Sequence, residues 1–524
     1  MQANDGSKRV ARRRGVVIAL GLAVAACSWP WTRSWRAEVP RAWDEAALRT
    51  MELPNAVTGA PPAHVTAAFY YSVPAQTVWR TWPVYHPDRE PAGYRERIAS
   101  ATPEVAFVAD RLASHADWLA AGELVFHWPI RWAPFDEAAR AQLRQQLAAV
   151  PMPLLADGTL PFYRFTMREP GKLEIGTFSC AFCHTRVMPD GSAIVGAQGN
   201  LPFDRLLARD DEPVPEEAVR AGLLALFGMP TVAGKSPPFP STLDGAAATA
   251  AFRAIPPGVL ARHGTSLTSP VQVPDLIGVA QRRYLDRTGL VRHRGIGDLM
   301  RYAALNQDLD MLSDFAGFVP DVAATASLPE RDPPPGVPTR EQARQRQLDP
   351  AQRIRYSDEA LYALSMFLYE LPPPANPHAF DDLARRGREV FEAEGCTKCH
   401  PAPLYTSNEL VPAPGFEVPA ALLASERIRS RGVDTDAALT TTTRRGTGFY
   451  KVPSLLGVWY RGPFEHNGSV ATLEDWFDPA RLRDDWVPTG WNPGGGRRAV
   501  RGHEFGLDLD AADRAALLAF LRTL

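Results

Sequence analysis

Apolar residues recur at helical spacing in several stretches of this 524-residue chain. Between 380 and 394, Leu383, Val390 and Phe391 fall on one face, and Gly395 is placed to end the helix that this face predicts. Similar patterns predict helices over 104–121 and 136–150. The segment 172–178 (KLEIGTF) is instead predicted to be extended.

The chain contains an internal repeat. Segment 273–279 (VPDLIGV) is matched by 452–458 (VPSLLGV), and the register continues without a gap, so that Arg282 corresponds to Arg461. A second match, ALSMFL at 363–368 with ALLAFL at 516–521, closes each half with a predicted amphipathic helix. Each half is therefore expected to be one copy of the same helical unit.

The expected fold class is mainly α, with two similar domains in tandem after a loop-rich N-terminal extension. The proline-rich run 372–377 (PPPANP) separates the halves, because proline stops helices and stiffens linkers. The predicted boundaries are a leader over 1–27, the extension over 28–165, and domains over 166–372 and 373–524. Nine of the 13 tryptophans precede residue 133, so the extension is expected to pack its aromatic side chains on the first domain.

Four of the five cysteines stand in two copies of one motif, Cys180-Ala-Phe-Cys183-His184 and Cys396-Thr-Lys-Cys399-His400. This spacing is the signature of c-type haem attachment, in which two thiols bond the haem vinyl groups and the imidazole ligates the iron. A redox-active cysteine pair does not need the histidine twice, and a zinc site would need further Cys or His nearby. Two covalently bound haems c are therefore predicted, one in each half.

The N-terminus has the pattern of an export signal. Basic residues within 8–14 precede a short apolar segment, 15–26, which is too short for a comfortable transmembrane helix. The run VAAC (24–27) resembles a bacterial lipoprotein box with Cys27 lipidated. The alternatives are an ordinary cleavage site or an uncleaved anchor, with Cys27 incidental in both. A periplasmic or cell-envelope location is expected, with membrane contact only through this lipid or anchor.

The overall charge narrows the choice of partners. Lys and Arg number 57 against 59 Asp and Glu, a net charge of −2, so there is no basic footprint for nucleic acid. Whether a calcium ion lies between the domains is not readable from the sequence.

The second half offers few side chains to complete the coordination of its haem iron. The last methionine is Met366, and apart from His378 in the linker and the proximal His400, the histidines of this half are His466 and His503. His503 lies on a glycine-flanked loop shortly before the closing helix and is predicted to be the distal ligand, with a surface histidine as the alternative. His466, in the run HNGS, is interpreted as a turn residue that orders the pocket or binds a propionate.

The first half lacks an equivalent of His503. The closing-helix match places that position near Pro350, where 340–358 holds neither His nor Met. The first haem is therefore expected to have an open axial position for dioxygen, peroxide or water, unless another side chain folds in. The side chains that could do so are His263, His293, Met229 and Met300.

Several features together carry a family resemblance. They are the two haem motifs about two hundred residues apart, GREVF at 387–391, KVPSL at 451–455, HNGS at 466–469, and the final helix at 513–524. On these features the chain, from 171 to 524, resembles the bacterial di-haem cytochrome c peroxidase/MauG superfamily. The resemblance implies two cytochrome c-like domains, with His184 proximal at a haem that meets peroxide or oxygen. It also implies an electron-transfer haem with His400 proximal and His503 distal.

The chain departs from this family in two places. Typical members carry a second histidine soon after the first motif, and 185–262 has none. The tryptophan expected between the haems is also missing, and Tyr284 is a candidate to replace it as a redox or pocket residue, with a packed core tyrosine as the alternative. In its length, its His503-type ligand and its open first haem, the chain is similar to a neighbouring branch, the haem-type rubber oxygenases.

The sequence thus predicts an exported di-haem oxidoreductase, with peroxide reduction or dioxygen activation at the first haem and electron transfer through the second. Its expected partners are hydrogen peroxide or dioxygen and a small redox protein or quinol-linked electron donor. Two other classes stay open: a non-catalytic periplasmic electron carrier, and a haem oxygenase acting on an apolar organic substrate. In the oxygenase, the N-terminal extension would help to build a hydrophobic channel.

Overall fold

The computed structural model describes residues 35–208, 245–261, 269–309, 312–314, 316 and 348–524. The predicted leader with Cys27 and the candidate ligands His263 and Met229 lie outside these residues. In the described residues, helices α1 to α14 span Glu45–Met51, Ala67–Ser72, Tyr94–Ala99, His115–His127, Glu137–Ala149, Cys180–His184, Gly245–Ala254, Ile296–Ala304, Asp358–Tyr369, Asp382–Ala393, Ala420–Ser425, Ala438–Thr441, Leu473–Trp476 and Ala511–Arg522. Strands β1 to β12 span Thr81–Tyr85, Arg131–Pro134, Thr159–Glu169, Lys172–Thr177, Thr185–Val187, Ala193–Val195, Val259–Leu260, Val271–Gln272, Tyr284–Leu285, Val291–Arg292, Leu410–Pro412 and Phe449–Lys451. None of these helices is long and apolar enough to span a membrane.

Among the described residues the fold is mixed, with 35 % helical and 14 % strand, so the expected mainly-α class is not confirmed. The largest sheet in this part of the chain has four antiparallel strands in the order β1-β3-β4-β2. The segment expected to be extended, 172–178, is β4 of this sheet. The long strand β3 was not predicted, because it is buried on both faces and therefore lacks the alternation that marks a half-buried strand.

The capping residues determine where the predicted helices begin. The helix expected over 136–150 is α5, where Asp136 accepts a hydrogen bond from the Ala139 amide. The prediction over 104–121 was wrong in its bounds, because Ser114 caps a helix that begins at His115 and ends at His127. There the Ser114 hydroxyl accepts from the Asp117 amide, and the Asp117 carboxylate accepts from the Ser114 amide.

One helix crossing occurs twice in the molecule. Helix α4 packs on α9, and α10 packs on α14, each time with a glycine at the crossing. A Cβ atom at Gly122 would overlap the carbonyl oxygen of Ala363, and one at Gly387 would overlap that of Ala516. Ala363 and Ala516 are corresponding residues of the internal repeat, so the two crossings are copies of one arrangement.

The aromatic contacts beside the two glycines repeat as well. Phe126 lies 5.6 Å from Phe367 between ring centres, and Phe391 lies 5.3 Å from Phe520. The sequence signal for this equivalence is the pair GELVF at 122–126 and GREVF at 387–391, which the sequence analysis did not match. The first half therefore takes its crossing helix from upstream of residue 166. The elements β2, α5, β3 and β4 lie between that helix and the first cysteine motif.

Replacing Gly387 by alanine tests the close approach of these helices. Alanine is the better helix former by about 1 kcal/mol, so helix propensity alone would raise the free energy of unfolding. We expect a decrease of about 1–3 kcal/mol instead, because the added methyl group overlaps the backbone of α14. Chemical unfolding of the mature protein measures this change in the free energy of unfolding. Gly496→Ala is the control, because a Cβ atom at Gly496 would meet nothing within 4 Å. A stabilised Gly387→Ala variant would contradict the packing described.

Candidate haem sites

Helix α10 leads directly into the second cysteine motif. Gly395 adopts a left-handed conformation (φ 71°) that ends the helix, and a single turn, Cys396–Lys398, brings the buried His400 to face inward. The Nδ1 atom of His400 lies 3.0 Å from the Tyr405 carbonyl oxygen. Because a carbonyl can only accept, Nδ1 donates the proton and Nε2 keeps its lone pair, as a metal-binding imidazole requires.

A cavity of about 1500 Å³, measured with its opening to solvent, begins at this motif. Cys396, Cys399 and His400 line it, and so does His503 from the loop before α14. The rest of its wall is mostly apolar and includes Phe391, Leu455, Val458, Phe464, Leu473, Trp476, Phe477, Leu517 and Leu521. An apolar cleft with two thiols and two imidazoles matches the chemistry of a covalently held haem.

The two imidazoles lie at the separation that one shared metal requires. Their ring centres are 6.4 Å apart. A bond from a metal to an imidazole nitrogen is about 2 Å long, and that nitrogen lies roughly 1 Å from the ring centre, so two imidazoles on one metal have ring centres roughly 6 Å apart. The His503 Nδ1 atom is buried and has no hydrogen-bond partner in the described part of the chain. Buried polar atoms normally have a partner, so a bound group is expected near this ring.

The surroundings of both imidazoles favour the neutral form. Burial, together with the neighbouring His503, lowers the pKa of His400 to about 4. Burial and the charge of Arg481 lower the pKa of His503. Metal binding needs the neutral imidazole, so these environments favour ligation.

A buried arginine holds the loop that carries His503. Arg481 is fully buried and donates to four carbonyl oxygens, those of Trp476, Val500, Gly502 and His503, at 2.7–2.9 Å. The amide of His503 donates to the Val433 carbonyl at 2.7 Å, and the residue has a left-handed backbone (φ 50°). Sequence analysis missed Arg481, because nothing local distinguishes it from the surface arginines around it.

We expect Arg481→Gln to loosen the hold on His503. Each buried carbonyl left without a donor costs about 1–3 kcal/mol, so the loop is expected to move away from the cavity. Electron paramagnetic resonance (EPR) of the mature ferric protein should then show a smaller low-spin fraction. Arg483→Gln is the matched control, because Arg483 lies two residues away, is exposed, and pairs only with Asp485 in the described structure. An equal effect of both substitutions would contradict the role of Arg481.

The side chains of His466 and Glu465 form a buried pair on the wall of the same cavity. The His466 ring centre lies 4.6 Å from that of Tyr450, and its Nδ1 atom lies 2.5 Å from Glu465 Oε2. Although burial opposes it, the charge of His466 and its hydrogen bond lower the pKa of Glu465 to about 2. The position fits the prediction that His466 orders the pocket.

The first motif forms the short helix α6, whose start is capped by the Ser179 hydroxyl. Cys180 packs in the hydrophobic cluster that contains Met300 and Tyr356, and Cys183 packs in a second cluster around Phe182. Burial raises the pKa of Cys180 to about 12, which favours the thiol. None of the four motif cysteines is in a disulfide.

His293 is not positioned as a ligand for the first haem, because both of its nitrogens are engaged. Nδ1 donates to the Arg282 carbonyl at 2.7 Å, and Nε2 lies 2.7 Å from the Tyr369 hydroxyl. Met300 is fully buried in the cluster of Cys180. It stays a candidate for the sixth ligand of the first haem, as the alternative to an open axial position.

Tyr284 lies outside the haem cavity, in a smaller cavity between the halves. Its ring is buried, and its hydroxyl donates to Glu426 Oε2 at 2.6 Å. It packs on Leu53, Leu410 and Phe449. The position is that of a core tyrosine at the junction of the halves, and a redox role stays a prediction.

No protein-family model matches the chain, and no curated protein matches it. Among solved structures, it is similar to a MauG-like protein associated with microbial copper homeostasis, with 20 % identity over 32 % of this chain and 56 % of that one (TM-score 0.21). It is also similar to the hydrazine synthase of Kuenenia stuttgartiensis, with 14 % identity over 63 % of this chain and 95 % of that one (TM-score 0.27). The chain therefore spans only about half of the MauG-like protein.

Proposed function

We propose that the chain is an exported di-haem c-type oxidoreductase that reduces peroxide or activates dioxygen at the first haem and transfers electrons through the second. The observation that carries the proposal is the pair His400 and His503, at metal-sharing distance across a cavity lined by Cys396 and Cys399. An iron with two imidazole ligands has no free position for a substrate, so this site suits electron transfer.

The reacting site is proposed at His184. The repeated helix crossing supports two copies of a cytochrome c-like unit, and the first half contains its own Cys-x-x-Cys-His motif, which ends at His184. His184 would hold the iron from one side, and the engaged nitrogens of His293 leave the other side without that ligand. A haem with an open axial position supplies the metal at which peroxide or dioxygen binds and is reduced.

The location and the electron donor follow from the same proposal. Covalent haem attachment takes place outside the cytoplasm, which agrees with the export signal predicted for 1–27 and the lipid anchor proposed at Cys27. The donor would be a small redox protein or a quinol-linked carrier that delivers electrons to the haem at His400.

Steady-state assays of the mature protein test the proposal. We expect turnover of hydrogen peroxide with a reduced cytochrome, or consumption of dioxygen, and a loss of more than about 100-fold in His184→Ala. The control is His378→Ala, which removes a histidine of the linker. Turnover that survives His184→Ala would contradict the assignment of the reacting haem. No turnover with either oxidant would favour the electron carrier, and product from a polyisoprenoid under dioxygen alone would favour the oxygenase.

A further inference from the structure

Four cationic side chains line a small cavity between the two halves, whose volume is about 410 Å³ when its opening to solvent is included. This cation cluster consists of Arg282, Arg287, Lys451 and Arg461. Arg282 and Arg461 are corresponding residues of the internal repeat, so each half contributes one of them from the same position. Arg287 and Lys451 come from segments that are far apart in the chain. For this reason no local sequence motif predicts the cluster.

Protein groups leave most of this charge uncompensated. Asp275 is the one carboxylate at ion-pair distance from these cations among the described residues, 3.8 Å from Arg282, and it also accepts a hydrogen bond from the Tyr460 hydroxyl. Lys451 donates to the Tyr284 carbonyl at 3.4 Å, and Arg461 donates to the Ser454 carbonyl at 2.8 Å. Four cations that share one carboxylate at ion-pair distance call for a further anion.

The Asp286 carboxylate does not fill this need. Asp286 is the residue of the first half that corresponds to Glu465 in the internal repeat. Its carboxylate is paired with Arg445 and accepts a hydrogen bond from the Tyr302 hydroxyl. Arg287 next to it donates instead to the Gln272 carbonyl at 3.5 Å. Burial and the repulsion of Arg461 and Arg282 lower the pKa of Arg287 to about 9, as expected for a cation crowded by other cations.

The cluster borders the candidate haem cavity. Arg287, Lys451 and Arg461 line both cavities, together with Val452 and Pro453. A haem whose iron lies between His400 and His503 is thus within reach of cations on one edge and apolar side chains elsewhere. The two propionates are the anionic groups of a haem, and arginine forks and lysine ammonium groups bind carboxylates well.

We propose that the cation cluster binds the propionate carboxylates of the haem attached at Cys396 and Cys399. The inference rests on the proposed function, because it needs that haem. It assigns to side chains of both halves the role of neutralising the cofactor at their junction. The same positive charge disfavours a calcium ion in this cavity.

Reduction potentials test the proposal. Cations next to the propionates favour the reduced haem, whose iron carries one positive charge less. In Lys451→Met and Arg287→Met, we expect the reduction equilibrium of the low-spin haem to shift about tenfold towards the ferric state, which is about 59 mV for one electron. Arg287→Lys keeps the charge and should restore most of the potential. Arg388→Met removes an exposed cation and should leave it unchanged.

Redox titration followed by optical absorption separates the outcomes. An unchanged potential in both methionine variants, with the low-spin haem present, would overturn the inference and leave the proposed function intact. A potential that responds to added phosphate in the wild type, but is equal in wild type and variants without phosphate, would assign the cluster to a free anion and also overturn it. Absence of covalent haem from the second motif would instead overturn the proposed function itself.

Discussion

Replacing His503 by glycine is expected to abolish the low-spin ferric signal of the second haem and to replace it with a high-spin signal. The reason is geometric: in the described structure, His503 is the imidazole whose ring centre lies 6.4 Å from that of His400. Its removal leaves an open position and a space of imidazole size beside the iron. Added imidazole should enter this space and restore the low-spin signal.

The matched control is the other histidine on the cavity wall. His466 stacks on Tyr450 and lies beside Glu465, so His466→Ala is expected to keep the low-spin signal. EPR and optical spectra of both ferric variants measure the outcome. If His466→Ala lost the signal and His503→Gly kept it, the assignment of the distal ligand would be wrong.

Serine substitutions in either cysteine pair are expected to halve the covalent haem content. The double variant Cys180→Ser/Cys183→Ser should retain one haem, attached at Cys396 and Cys399, and the variant of the second pair should retain the one at Cys180 and Cys183. The thioether bonds need both thiols of a motif, and the four cysteines are free of disulfides. Intact-protein mass and haem staining on denaturing gels count the attached groups.

Cys27→Ser serves as the control for these substitutions. It removes the fifth cysteine without touching either motif, so two haems should remain. If Cys27 is lipidated, this variant should also leave the membrane fraction. Two haems remaining after either motif is removed, or none remaining in the wild type, would contradict the haem assignment.

The sequence predicted those parts of the molecule that depend on local signals. Asp136 and Asp381 begin the helices that the apolar pattern predicted, and Gly395 ends the second of them as expected. His503 was selected by counting ligands, and the fold brings it to the cavity of His400. That the two share an iron stays a prediction.

The features that sequence analysis missed depend on long-range contacts. The strand β3 is buried on both faces, so its pattern did not distinguish strand from helix. The match between the crossing helices of the two halves was missed because their distances to the cysteine motifs differ. More than fifty residues separate Phe126 from Cys180, whereas Phe391 and Cys396 are five apart. The roles of Arg481 and of the cation cluster could not be predicted, because they depend on contacts with residues that are distant in the sequence and meet only in the folded chain.

Low-temperature EPR of the ferric wild-type protein, matured in a host with the c-haem attachment machinery, tests the central claim most directly. We predict one low-spin signal from the haem between His400 and His503 and one high-spin signal from the haem at His184. Two low-spin signals would contradict the open first haem, and two high-spin signals would contradict the pairing of His400 with His503.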